Sequence, residues 1–264
     1  MNEMIRYQLR CHIGARRRVN QDNFLLDGAY TEPQKAHSGA DMGGAFKKLP
    51  QLVGVFDGLG GEECGEIASF IAAKEFAEAR ISRSAEEGLM RLCRQINRSI
   101  CEYANENGVL SMGTTAALLY ISKRSVTACN VGDSRIYRCS RGKLGKLSVD
   151  HVAAAPFGGK PPLLQNLGVP EDVLRIKPSV VTVKPEMGDV FLLCSDGLTD
   201  MVSDEKICEI ITSLRPREAA DALLSEALAN GGRDNITIML VSYVKSSIIG
   251  RAAESLRRKK WTII

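Results

Sequence analysis

The chain has 264 residues, with 35 lysines and arginines against 31 aspartates and glutamates and a formal charge of +4. That length holds one large domain or two small ones and excludes a stapled mini-protein. With 44% hydrophobic and 25% charged residues, disordered, collagen-like and coiled-coil chains are excluded, and the charge is too mild and too evenly mixed for a nucleic-acid surface.

In chain order, Tyr7, Leu9, Cys11 and Ile13 alternate with polar residues at period two, which predicts a half-buried strand. Residues 27–50 are Gly-rich, polar and aperiodic and read as a surface loop; Leu52 to Phe56 reads as a fully buried strand. From Ile67 the period becomes helical, with Phe70, Ile71 and Ala77 on one face. A second helix carries Leu89, Leu92, Cys93, Ile96, Ile100 and Tyr103 and ends at Gly108. Thr115 to Ile121, Ser125 to Val131 and Arg135 to Arg138 are β-rich runs parted by short polar breaks, as in an antiparallel meander.

Residues 151–172 form a second exposed loop, followed by strands at Val180 to Val183 and Val190 to Cys194. Ser203, ahead of Asp204 and Glu205, caps a helix. Pro216 starts another, with Ala220, Leu223, Leu224 and Ala227 on its apolar face, and Ile236 to Tyr243 closes the sheet. Grouped strands with paired helices give the α+β class, as one domain over residues 1–244 with a basic tail at 245–264. No run approaches 18 apolar residues and the first residues lack a signal-peptide core, so the expected location is cytoplasmic.

Aspartates recur where apolar strands meet tight turns: Asp57 in VGVFDGLGG, Asp133 in NVGDSR, Asp196 and Asp200 in FLLCSDGLTD, and Asp234 in GGRDNITIML. One Asp-Gly after a strand marks only a turn. Five such carboxylates at the rim of one sheet repel each other, and the nearby fixed cations are Arg135 and Arg233. Oxygen ligands without paired His or Cys favour a hard cation, Mg2+ or Mn2+. Gly58 lets a backbone carbonyl turn toward an ion, and Gly60 and Gly61 keep the loop slim. Two adjacent ions would activate a water for in-line attack on a phosphoryl group.

RRVNQD at 17–22, VFDGLGG at 55–61, MGTTAALLY at 112–120, NVGDSRIY at 130–137, CSDGLTD at 194–200 and GGRDNIT at 231–237 occur in that order. This set resembles the metal-dependent Ser/Thr protein phosphatases of the 2C type, and DGLGG resembles their bacterial branch. The resemblance covers roughly residues 5–243. It implies an α/β sandwich of two central antiparallel sheets flanked by helix pairs, with two Mn2+ or Mg2+ ions, and a weaker third, at one end. By position, Asp57 would bridge two ions, Asp196 and Asp234 would complete the first, and the Gly58 carbonyl would help hold the second. Asp133 and Asp196 would serve the third. Arg17 would grip the substrate phosphate, Asp22 would orient the nucleophilic water, and Asn235 and Asp200 would support the ligands. The implied partners are phosphorylated proteins, a Ser/Thr kinase and its targets, met by a monomer.

Two departures stand out. The family motif reads Asn-Glu-Asp, whereas this chain has Asn20-Gln21-Asp22, so an amide replaces a carboxylate of the second metal. Binding there should weaken by on the order of a kcal/mol. Leu59 stands where some eukaryotic members carry a histidine that protonates the leaving group. Gln21 motivates the competing readings, a regulatory module of the same fold or a phosphatase restricted to one signalling partner. The loop from His151 to Val173 resembles the substrate-side flap but is short.

The Cys-x5-Arg pattern of cysteine phosphatases occurs at Cys11 to Arg17 and Cys129 to Arg135, but Asp133 would repel a phosphate and Cys11 alternates inward. The eight cysteines contain no CxxC pair and read as reduced core thiols. His12, His37 and His151 lie in no metal spacing and read as solvated or core-edge residues. In the tail, Arg257, Arg258, Lys259 and Lys260 precede Trp261. A frayed helix end is one reading; membrane-surface contact or docking on a partner is the other.

Overall fold

The computed structural model describes residues 3–59, 64–81, 84–154 and 161–245. Gly60, Gly61 and the tail from residue 246, singled out in the sequence, lie outside the described residues. The chain opens with β1 (Glu3–His12), β2 (Asp22–Leu25), a 3-10 turn at Pro33–Lys35, β3 (Ala40–Ala45) and β4 (Gln51–Leu59). Two long helices follow, α1 (Gly65–Glu78) and α2 (Ala85–Glu106). Next come β5 (Gly113–Thr114), β6 (Ala116–Ile121), β7 (Val126–Val131), β8 (Arg135–Ser140), β9 (Lys143–Lys146), β10 (Ser179–Val183) and β11 (Val190–Cys194). The short α3 (Asp196–Thr199), α4 (Asp204–Ser213), α5 (Pro216–Ala229) and β12 (Ile236–Lys245) complete it.

The strands form two antiparallel sheets, one in the order β3-β1-β12-β11-β8-β9, the other β10-β7-β6-β4-β2 with β5 attached to β4. Side-chain alternation along each strand divides the apolar residues among three layers. Val55, Leu119, Phe191, Leu193, Met239 and Val241 point between the sheets. Their neighbours Phe56 and Leu118 pack under α1 and α2, with Ala72, Phe76, Leu89 and Ile96. Leu192, Ile238 and Leu240 pack under α4 and α5, with Ile207, Ala220 and Leu223. Both faces of each sheet are thus covered, which explains why β7 is buried at every position.

Local chemistry sets the helix ends. Ser84 Oγ accepts the Glu87 N–H ahead of α2 and Ser203 Oγ accepts the Lys206 N–H ahead of α4, each with acidic residues in the first turn. Pro216 occupies the first turn of α5, where its missing N–H has no partner to lose.

Three sequence expectations are corrected. Residues 27–50 are not loop throughout: β3 pairs with β1 from Arg6–Ala45 to Cys11–Ala40. Its sequence, ADMGGA, carries no β signal because the strand is an edge whose Gly43 and Gly44 lie beneath the Gln8 and Tyr7 side chains. The run at 115–138 is not a simple meander, since β6 and β7 pair but β8 crosses to the other sheet and pairs β11. Period-two patterning records which face is buried, not which sheet a strand joins. β12 does not close a sheet; it lies at the centre of one, between β1 and β11.

Phe56 has no exposed surface and stacks on Phe76 at 5.7 Å between ring centroids. Phe56→Ala is expected to cost about 3–5 kcal/mol of stability through lost burial and the cavity left behind. Urea unfolding, with an unchanged denaturant slope, measures it.

Candidate metal centre

One end of the sandwich gathers the end of β4, the start of β2, the turn after β7, the start of α3 and the turn before β12. Asp22 and Asp57 are direct cross-strand partners, so both carboxylates leave the same face of their sheet. Asp57 lies inside β4 and not in a turn, because β4 continues to Leu59. Its backbone is fixed from β5: Thr115 N–H and Thr114 Oγ1 donate to its carbonyl, and its own N–H donates to Thr115 Oγ1. Thr115 Oγ1 in turn meets Ser134 Oγ at 2.7 Å, beside Asp133.

Asp22 is 4% exposed, and its Oδ2 accepts from Ser195 Oγ and Thr237 Oγ1, both at 2.7 Å. Its Oδ1 is buried with no hydrogen-bond partner. Burial lifts the Asp22 carboxyl from 3.8 to about 7; the two hydroxyls pull it down, and Asp196 and Asp234 push it up. Asp57 is raised well above its ordinary value by burial first, then by Asp196, Asp22, Asp234 and Asp133. Asp22, Asp133, Asp196 and Asp234 therefore all bear on Asp57. Asp200 is exposed at the end of α3, where its N–H donates to the Asp196 carbonyl at 2.7 Å.

Of the expected cations, Arg135 does not serve the cluster: it pairs with Asp150 at 2.9 Å. Arg17 takes that place, with Nη2 2.8 Å from Asp234 Oδ2 and its side chain 49% exposed at the mouth. Asn235 staples the loop that carries both Arg17 and Gln21. Its Oδ1 accepts the Gln21 N–H, and its Nδ2 donates to the carbonyls of Ile13 and Val19. The Gln21 carbonyl accepts from Gly58 N–H and Ser69 Oγ, while its Nε2 lies 3.5 Å from Glu66 Oε2.

Sequence reasoning singled out the aspartates and missed the hydroxyls around them: Thr114, Thr115, Ser195 and Thr237 bond Asp57 or Asp22, Ser134 backs Thr115, and Ser69 holds the Gln21 carbonyl. Five of the six sit inside the quoted motifs, in GTTA, GDSR, CSDG and DNIT, so the signal was present. The cysteine alternative fails physically. Cys11 is buried, its thiol pushed up to about 12 by burial and then Asp22; Cys129 is raised by its buried contact with Cys93. His151 is a core-edge residue, accepting the Gly132 N–H at Nδ1 and meeting Ser179 Oγ at Nε2.

Among the described residues no three His, Cys, Asp or Glu side chains already converge as a metal cage; Asp22 is engaged by two hydroxyls and Asp234 by Arg17. The donor set nonetheless fits a divalent cation. It consists of oxygens, it includes the partnerless Asp22 Oδ1, and its mutual repulsion calls for positive charge. Gly58 also has no room for a side chain, since a Cβ would lie 2.2 Å from the Gly65 carbonyl oxygen and 2.5 Å from that of Gln21.

A folded-state value raised to about 7 stabilises the protein below the unfolded carboxyl value and withdraws that contribution as pH rises through 7. Metal-free protein is therefore expected to lose melting temperature between about pH 4 and pH 7 more steeply than Asp22→Asn does. Thermal unfolding in chelator across that range checks it; parallel curves would remove Asp22 as the cause.

The protein phosphatase 2C family description matches residues 13–156 and 162–236. A serine/threonine phosphatase, stp, of Listeria innocua serovar 6a is 33% identical over 230 residues, 78% of this chain and 90% of its own. The Mycobacterium tuberculosis serine/threonine phosphatase PstP/Ppp superposes with a TM-score of 0.76 at 25% identity, covering 92% of this chain and all of that one. The PstP catalytic domain in complex with two manganese ions superposes with a TM-score of 0.74 at 26% identity, with the same coverage. Two antiparallel sheets between helix pairs, an oxygen-only acidic end and a match over most of the length lead to one conclusion: the chain belongs to the protein phosphatase 2C family.

Proposed function

We infer that the protein is a metal-dependent protein serine/threonine phosphatase, acting on phosphorylated proteins by attack of water and without a covalent enzyme intermediate. The observation that carries this reading is the convergence of Asp22, Asp57, Asp133, Asp196 and Asp234 on one end of the sandwich with Arg17 at its mouth. Asp57, Asp196, Asp234 and the Gly58 carbonyl are the residues assigned to two ions, Mn2+ or Mg2+; Asp133 and Asp196 are assigned to a third, and Gln21 contributes weakly. Bound divalent ions supply Lewis-acid polarisation of the phosphoryl oxygens and a water of lowered pKa.

The chain's own residues do the remaining work. The half-exposed Arg17 guanidinium, a planar fork of N–H donors, grips two phosphoryl oxygens and holds phosphorus in line with the attacking water. Asp22 is fixed at Oδ2 by Ser195 and Thr237, which leaves Oδ1 to orient that water and hold its proton. Phosphorus gains the water oxygen and loses the seryl or threonyl oxygen. Leu59 carries no proton to give, so the leaving oxygen draws its proton from solvent. Asn235 keeps Arg17 and Gln21 on one stapled loop, and Asp200 supports Asp196 from the end of α3.

The catalytic unit spans residues 1–244 and works as a monomer in the cytoplasm, with a Ser/Thr kinase and its targets as counterparts. Among the described residues no helix is long and apolar enough to cross a membrane.

Phosphate release from a phosphothreonine peptide should rise with added Mn2+ and vanish in chelator. Asp196→Asn should lower it by about 100-fold or more. Silence of folded protein at every Mn2+ concentration would sink the general phosphatase reading and leave the regulatory module or the phosphatase restricted to one signalling partner. Gln21→Glu restores a carboxylate worth roughly 1.4 kcal/mol of ion attraction, so the Mn2+ concentration for half-maximal rate should fall about tenfold. An unchanged midpoint would show that Gln21 does not face the second ion.

A further inference from the structure

A cleft of about 650 Å³ opens between α1 and α2, on the outer helical layer and away from the aspartates. Its floor is apolar, with Phe70, Ile71 and Tyr103 only partly covered. Its rim carries Glu75 and Glu78 beside Lys74: Glu75 is raised by burial first, is held down by a hydrogen bond with Ser99, and feels repulsion from Glu78 and from Glu102 just outside the cleft that Lys74 partly offsets. An apolar trough edged by mutually repelling carboxylates suits an occupant that is aromatic and basic together.

The chain itself contains such a segment. Arg257, Arg258, Lys259 and Lys260 run into Trp261, followed by Ile263 and Ile264. The topology places its origin at the correct end. α1 starts at Gly65, packed on Gly58 and Gln21 beside the aspartates, and its 14 residues carry it about 21 Å away to Glu78. β12 also starts beside the aspartates and ends at Lys245, opposite Glu3, at the far end of the sandwich. The span from Lys245 to the cleft is the thickness of two sheets about 10 Å apart and one helical layer. The 19 residues after Lys245 reach roughly 60 Å when extended, more than twice what that path needs. Tethering also raises the local concentration of the segment into the millimolar range, so modest contacts suffice.

We propose that the cleft between α1 and α2 is the docking site of the chain's own basic C-terminal segment, with Trp261 and the terminal isoleucines on the floor and the cations against Glu75, Glu78 and Glu102. An anionic lipid surface is the rival occupant for the same segment, but it leaves the acidic cleft unexplained.

Trp261 is the only tryptophan, so intrinsic fluorescence reads this contact without a label. In the full chain its emission should be blue-shifted from free N-acetyltryptophanamide and shielded from acrylamide. Glu75→Lys with Glu78→Lys should return both to the free values, whereas the matched reversal Glu205→Lys with Glu209→Lys on α4 should leave them unchanged. Circular dichroism and retained phosphate release establish that the variants are folded and separate this test from the phosphatase reading. Emission at the free value in the parent chain, or indifference to the α1 reversal, overturns the proposal. So does a blue shift that appears only with phosphatidylserine vesicles, which assigns the segment to lipid, or one lost on dilution, which assigns it to a second copy.

Discussion

A buried carboxylate with two hydroxyl donors joins the two sheets where the chemistry takes place. Asp22 belongs to the sheet of β4 and β6, while Ser195 and Thr237 belong to the β11–α3 junction and to β12 in the other sheet. A charge-assisted hydrogen bond in a low-dielectric interior is strong, but it only partly repays the desolvation of the carboxylate that accepts it. The arrangement therefore holds Asp22 in a fixed orientation at the expense of easy ionisation, and it does so only if both sheets keep their relative position. The three apolar layers supply that rigidity, since close-packed interiors resist sub-ångström sliding.

The same economy recurs around the other aspartates. Asp57 is held by its backbone through Thr114 and Thr115, which leaves its carboxylate uncommitted to the scaffold. Gly197 is needed because a Cβ there would lie 1.9 Å from the Asn235 carbonyl oxygen, so α3 sits directly against the start of β12 and fixes Asp196 relative to Asp234. Ligand direction is thus set by small residues and hydroxyls rather than by bulky packing. This accounts for the Gly, Ser and Thr residues in five of the six sequence motifs, all but RRVNQD.

The motifs made the site legible because Asp57, Asp133 and Asp196 each have a glycine or a serine beside them in the chain and Asp234 follows a glycine pair by one residue. Two helix starts were legible for a related reason: Ser203 and Pro216 act within one turn of their own position, whereas the Ser84 cap of α2 was found only in the structure. Information that is not local was lost. β3 exists only because β1 offers it hydrogen-bond partners, and β8 changes sheets at a turn that resembles any other. The pairing of Arg17, and not Arg135, with the aspartates depends on a contact 217 residues apart that no spacing rule encodes.

The contact of Gly58 with Gly65 brings the backbone of α1 directly against β4. Among the described residues the N-cap of α1, Cys64, gives no side-chain cap, and Glu66 stands in the first turn. Such an end carries a fractional positive charge, about half an elementary charge, from aligned peptide dipoles. The acidic end of the sandwich therefore borders a partial positive charge built from main chain, part of which Glu66 in the first turn of α1 already answers.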